Sequence, residues 1–455
     1  MGAHGQLAHV GLRPPLHRLR ARRSRDHRRP GAVRRLRLRP SALRPRPGRR
    51  HTPRATHPRV PVSNPVEKIG QWQAEFTAIR RDIHAHPELG LEEHRTADLV
   101  AKKLAEMGIE VHTGVGKTGV VGVIRNGNGQ GRIGLRADMD ALAMTEANAF
   151  GHASTIPGKM HACGHDGHTT MLLAAAKYLA ETKNFDGTVH LIFQPGEEGA
   201  GGALAMLDDG LFERFPCDAV FGLHNRPGLP VGQYGLRPGP MMAGVAFYDI
   251  VITGKGGHGA RPEATFDPVV MGAAVVQALQ SVVARNVPAA ERAVLSITRF
   301  DAGNAYNVIP NEVRLGGTVR AFSNEIMKLV EDRMRAISEG VAAGLGGKAV
   351  LDFRVITTPL VNDAIEAVSL GDAAAELVGE AGVKREFAAV MGGEDFAYML
   401  EKCPGAYIVT GNGDTAEVHN PSFDFNDEAI PYGAGVLAAV VEAKLARVTA
   451  EKADN

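Results

Sequence analysis

His161-Ala162-Cys163-Gly164-His165-Asp166-Gly167-His168 gathers three histidines, a cysteine and an aspartate into eight residues. It stands between a strand-like run, 132–137, and an apolar run from Met171 to Ala180. Cys163 and His165 are two apart, so in an extended or turning segment both can face one side, and thiolate with imidazole suits zinc and its neighbours. A cysteine serving as small apolar filler needs no imidazoles around it. The stretch therefore reads as a metal site set between a strand and a helix.

Working outward, Val66, Ile69, Trp72, Phe76, Ile79 and Ile83 recur at helical spacing after Pro65, predicting a helix that ends near His84–Glu88. A second helix is expected over about 92–107, strands near 109–113, 119–125 and 132–137, a helix through Leu172–Leu179, and a strand over 188–193. A short helix near 202–208 and a strand over 219–223 follow. Strands alternating with helices imply a largely parallel sheet covered on both faces. Near residue 240 the pattern changes: strand 245–253, helix 267–285, strands 293–300 and 312–320, helix 324–343 and strand 349–356 spell β-α-β-β-α-β, the order of a ferredoxin-like sandwich. After 358 the first pattern resumes, with helices near 363–379, 394–401 and 433–446 and a strand at 406–410. The expected fold is α/β: one domain with a mixed, mostly parallel sheet, built from 63–240 and 358–455, and a second domain, 241–357, inserted into it.

Polar clusters fall where the strands should end, the place where open α/β sheets bind ligands. They are Arg136–Asp140, Gln194–Glu198, Gly222–Asn225 and His419–Pro421. Five candidate ligands emerge: Cys163, His165, Glu198, His224 and His419. That is more than one tetrahedral zinc needs and suits two divalent ions, with Cys163 as a candidate bridge. Neighbours in an extended segment face opposite ways, so one of two adjacent glutamates points at a metal and the other is free to act as general base; that role falls to Glu197. Zinc, manganese, cobalt and nickel all fit one thiolate, three imidazoles and a carboxylate.

These motifs, with Gly254-Lys-Gly-Gly-His-Gly, Gly392-Gly-Glu-Asp-Phe and His419-Asn-Pro-Ser-Phe-Asp-Phe, resemble the metallo-amidohydrolases that include hippurate hydrolases, N-acyl-amino-acid deacylases and auxin-conjugate hydrolases. The resemblance runs from about 66 to 446. One departure is Gly196, where that family commonly has alanine. The resemblance implies a di-metal catalytic domain with a smaller lid or dimerisation domain, the same five ligands and Glu197 as base. It further implies that His258 reaches the partner subunit's active site and steadies an oxyanion, that Asn307 and Arg320 contact substrate, and that Asp138 orients a ligand. The expected reaction is metal-dependent hydrolysis of an N-acyl or N-aroyl amino acid to a carboxylic acid and a free amino acid, by a homodimer. A dipeptidase or aminopeptidase is the first alternative, and a non-catalytic metal-binding or nucleic-acid-binding protein the second.

Charge separates the ends of the chain. Residues 1–62 hold 18 arginines, no lysine and one acid, leaving 34 basic and 49 acidic residues in 63–455, a net charge of −15. An Arg/Pro-rich leader of this kind is expected to be disordered, and its composition reads as translated sequence ahead of the true start. The acidic body argues against nucleic acid as a partner. With no uninterrupted apolar run of 18 residues, no membrane span is expected. Three cysteines in so long a chain make no disulfide framework and point to the cytoplasm.

Overall fold

The computed structural model describes residues 64–447; the leader expected at 1–62 lies outside the described residues. In place of one helix after Pro65 there are two, α1 (Pro65–Gly70) and α2 (Gln73–Ala85). Asn64 caps the first by accepting from the Val66 amide at 3.0 Å. Gly70, a weak helix former, ends it, and the Trp72 amide closes on the Ile69 carbonyl at 2.9 Å. The Trp72 ring lies under the ammonium groups of Lys68 and Lys177, at 5.6 and 4.6 Å.

The chain continues through α3 (His94–Glu106), β1 (Glu110–Val115), β2 (Gly119–Asn126), β3 (Arg132–Asp138), α4 (His165–Thr182), β4 (Gly187–Gln194), α5 (Gly202–Asp208), α6 (Leu211–Arg214), β5 (Ala219–Arg226) and β6 (Tyr234–Gly235). It then crosses through β7 (Gly239–Met242) into β8 (Gly244–Thr253), β9 (Gly257–His258), α7 (Pro268–Asn286), β10 (Ala293–Asp301), β11 (Val308–Ile309), β12 (Glu312–Ala321), α8 (Asn324–Gly344) and β13 (Lys348–Thr357). It returns through β14 (Leu360–Asn362) to α9 (Ala364–Val378), β15 (Val383–Lys384), α10 (Phe396–Leu400), β16 (Gly405–Gly411) and α11 (Ile430–Lys444).

The larger sheet has eight strands in the order β1-β2-β4-β3-β5-β16-β6-β15. Its centre, β4-β3-β5-β16, is parallel, whereas β1 with β2, β2 with β4 and β16 with β6 are antiparallel, so the sheet is mixed. β4 and β16 are buried almost throughout, as central strands covered on both faces must be. On one face α4 and α11 lie against each other so closely that a Cβ on Gly433 would sit 2.2 Å from the Met171 sulfur. The other face packs against Met206, Leu211, Phe396 and Met399.

The smaller sheet, β10-β12-β8-β13, is antiparallel and has a core of its own with α7 and α8, built on Ile250, Ile252, Val275, Leu279, Val319 and Val330. α7 is long and apolar enough to cross a membrane by length and composition; here Met271, Val275, Leu279 and Val282 face that core. β7 and β14 pair antiparallel where the chain leaves the larger sheet and comes back. The carboxyl ends of β3, β4 and β5 lie side by side, with Asp138 opposite Gln194 and Arg136 opposite Gly222.

Candidate metal centre

Gly164 makes the turn from the loop into α4. Its φ of 96° is left-handed, and a Cβ there would stand 2.3 Å from the Asn225 side-chain oxygen, so only glycine fits. The turn sets buried Cys163 just before the helix and His165 as its first residue. Cys163 Sγ is 3.3 Å from His224 Nε2. His224 Nδ1 donates to the Asn225 carbonyl at 2.6 Å, leaving the Nε2 lone pair toward the sulfur. β5 runs three residues beyond the expected end at Leu223, so His224 and Asn225 are held by strand pairing.

His419 arrives from a loop in which its own φ is 63°, with its amide donating to the Ala162 carbonyl at 2.7 Å. Its Nε2 lies 3.0 Å from Glu198 Oε1, close but without hydrogen-bond alignment. The five expected ligands thus come together. The candidate ligand atoms of Cys163, His165 and His224 all lie within 4.8 Å of one another, as do those of Cys163, Glu198 and His419. Cys163 belongs to both triads.

Among the described residues, two buried candidate ligand atoms have no hydrogen-bond partner, His165 Nε2 and Glu198 Oε1. Buried polar atoms are normally satisfied, so an orphaned imidazole nitrogen and an orphaned carboxylate oxygen facing a thiol fit a cation. Burial, followed by the charge of Glu198, holds the Cys163 thiol well above its usual range, so a nearby positive charge is what would favour thiolate.

The supports differ from expectation in one respect. Asp138 bonds His168 Nδ1 at 2.6 Å and Arg136 at 2.8 Å, and comes no nearer than 3.8 Å to His165 Nε2. The residue that touches His165 is Asp140, 3.2 Å from Nδ1. The same Asp140 carboxylate accepts the main-chain amides of Glu197 at 3.0 Å and Glu198 at 2.9 Å, so one side chain sets a histidine and both glutamates. Asp140 lies two residues past the end of β3, in the same Arg136–Asp140 cluster as Asp138.

Glu197 is half-buried, and its Oε1 accepts the Asp395 amide at 3.3 Å. Burial, then Glu394, Glu198 and Asp395, hold its carboxyl well above the usual range. Glu394 and Asp395, given no role above, are buried against Arg136 Nη2 at 2.9 and 3.3 Å. Burial pushes Asp395 up to about 8 against the pull of Arg136. Sequence could not place Arg136 against residues 258 and 259 positions away. His161 stands apart, buried with neither ring nitrogen bonded among the described residues.

His258, Asn307 and Arg320 belong to the smaller-sheet region and are not in the ligand cluster. β9 and β11 form a two-stranded ribbon with His258 opposite Val308, and the Gly259 amide donates to the Asn307 carbonyl at 2.8 Å, making His258 and Asn307 neighbours. The Ala260 amide donates to His258 Nδ1 at 3.1 Å, so the neutral ring carries its proton on exposed Nε2. Arg320 Nε donates to the Met391 carbonyl at 3.1 Å, and among the described residues no carboxylate forms an ion pair with it.

Residues 134–443 match the sequence profile of peptidase family M20/M25/M40. The chain is 44% identical to the hippurate hydrolase of Campylobacter jejuni over 375 residues, 82% of this chain and 98% of that protein. It is 41% identical to the N-acetylcysteine deacetylase of Bacillus subtilis, covering 77% of this chain and 92% of the other. A crystal structure of the Bacillus subtilis YXEP protein, described as a dinuclear metal binding peptidase from the M20 family, superposes with a TM-score of 0.73 at 36% identity, over 83% of this chain and 99% of that one.

Proposed function

The chain belongs to peptidase family M20/M25/M40 and is a metal-dependent amidohydrolase, and from that premise we propose that it hydrolyses hippurate-like N-acyl or N-aroyl amino acids to a carboxylic acid and a free amino acid. The observation that carries this reading is the pair of ligand triads sharing Cys163, with Glu197 beside them. Cys163, His165, Glu198, His224 and His419 would hold two divalent ions, zinc, manganese, cobalt or nickel, which supply Lewis-acid activation of water and of the amide carbonyl.

Glu197 acts as the base. Its Oε1 is occupied by the Asp395 amide, which leaves Oε2 to take the proton of the attacking water and pass it to the leaving nitrogen. His258 presents an Nε2–H, the donor an oxyanion needs, and does so across a homodimer from the partner subunit. Asn307 beside it contacts the substrate. Arg320, half-buried and without a carboxylate partner among the described residues, grips the free carboxylate of the amino acid. In this reading residues 241–357 are a ferredoxin-like lid and dimerisation domain on a catalytic domain of 63–240 and 358–455. Three free cysteines accord with a cytoplasmic enzyme.

The test is release of glycine from hippurate by protein stripped with chelator and reloaded separately with Mn²⁺, Zn²⁺ or Co²⁺. Activity should return with metal, and Glu197→Ala should abolish it while keeping both ions. Two ions bound with no turnover of hippurate or of N-acetyl amino acids would refute the substrate class, and free dipeptides would then be assayed.

A further inference from the structure

The segment Val390–Phe396 touches three parts of the molecule. It first runs beside β7: the Val390 amide donates to the Met241 carbonyl at 3.0 Å, and the Ala243 amide donates to the carbonyls of both Val390 and Gly392 at 3.1 Å. It next meets the smaller sheet. Arg320 of β12 holds the Met391 carbonyl, and Gly393 lies so close to β8 and β13 that a Cβ would stand 2.5 Å from Val245 Cγ2 and 2.8 Å from Thr357 Oγ1. It ends in the larger sheet's buried polar network. There Asp395 accepts from Gln194 Nε2 at 2.7 Å and the Ala203 amide at 3.0 Å, and Glu394 accepts from Arg136 at 2.9 Å and the Phe396 amide at 2.9 Å. Between these anchorages the Asp395 amide donates to Glu197 Oε1.

We infer that this segment is a positioning strap, which makes the orientation of Glu197 depend on where the smaller sheet sits. A main-chain amide goes where its neighbours on the chain go. Only three residues separate the carbonyl that Arg320 grips from the amide that holds Glu197, and between them Gly393 allows sheet and strap to meet without a side chain. Displacement of the smaller sheet therefore moves the donor on the base, although among the described residues no side chain of that sheet is hydrogen-bonded or ion-paired to Glu197. Asp395 and Gly393 are positioning residues, and the inference rests on Glu197 being the base.

Gly393→Ala inserts a methyl between strap and sheet. In full-length enzyme reloaded with metal, kcat should fall about 100-fold, the cost of misplacing a reacting group by about an ångström. KM should stay within about 2-fold and the bound metal should be unchanged. Removing the obstructing atoms with Val245→Ala and Thr357→Ala should restore kcat; among the described residues Thr357 Oγ1 has no hydrogen-bond partner, so its loss breaks no bond there. In a Glu197→Asp background, where the shortened side chain no longer reaches the Asp395 amide, Gly393→Ala should cause no further fall. In metal-free protein, hydrogen exchange over 390–396 should quicken. An unchanged kcat in Gly393→Ala, or an equal fall with and without Glu197, overturns the strap while leaving the base assignment standing. A full rate in Glu197→Asp overturns that assignment itself. Should Gly393→Ala not fold, Asp395→Asn is judged by the same comparison in both backgrounds.

Discussion

Gly164→Ala should loosen the metal centre by an amount set by two separable costs. An L-residue held at φ 96° pays roughly 1–2 kcal/mol in backbone strain. The added methyl also overlaps the Asn225 side-chain oxygen, which sits 2.7 Å from His168 Nε2. Displacing it forfeits that contact, about 1 kcal/mol more. Stability should fall by about 2–3 kcal/mol in all, read as a shift of the urea midpoint at constant slope. Because the turn sets both Cys163 and His165, metal affinity should drop about 10- to 100-fold in competition with a chelating dye, as for other supports of metal ligands. Gly158→Ala supplies the control: φ there is 76° and nothing lies within 4 Å, so only the backbone cost applies. Equal losses in the two variants, or an unchanged metal affinity in folded Gly164→Ala, would refute the assignment of this turn.

Two further outcomes follow from buried charge. Arg136→Met leaves Asp138, Glu394 and Asp395 without their common cation, and should cost about 3–5 kcal/mol in urea unfolding; a loss under 1 kcal/mol would mean that the arginine is not what balances them. His84 is raised to about 9, because Asp166 and Glu146 outweigh the burial that lowers it. A raised folded value gives stability that is complete below about 6.5 and is lost as pH climbs through 9, on the order of 3 kcal/mol. Urea midpoints between pH 6.5 and 9.5 should therefore decline more steeply in the wild type than in His84→Gln, and parallel declines would exclude the pairing.

What could be read from sequence, and what could not, divides along physical lines. The candidate ligands were legible because thiol and imidazoles are rare, and because strand ends collect them: Cys163, His165, Glu198, His224 and His419 all arrive at one place. Element positions followed from periodicity, which is local. The helix break at Gly70–Trp72 was missed because the apolar spacing runs straight across it, while a glycine and the packing of one indole decide the matter. Asp138 and Asp140 sit in one short motif, and which of them reaches His165 is decided by contacts made 25 and 30 residues away. Gly392–Phe396 resembled a family motif yet had no role until Arg136 and Glu197 were seen around it, and pairings across some 200 residues leave no periodic trace.

β16 lies between β5 and β6 in the larger sheet, although it is made long after both. During synthesis the sheet therefore waits with a gap beside β5, while the whole of the smaller sheet, whose partners are near in sequence, emerges in between. His419 follows Cys163 by 256 positions. At ribosomal speed that is roughly ten to fifty seconds in which a nascent chain exposes its thiol and imidazoles without the last of their companions. On the proposed ligand set, a chain released before that strand would lack His419, one of the five groups expected to hold the metals.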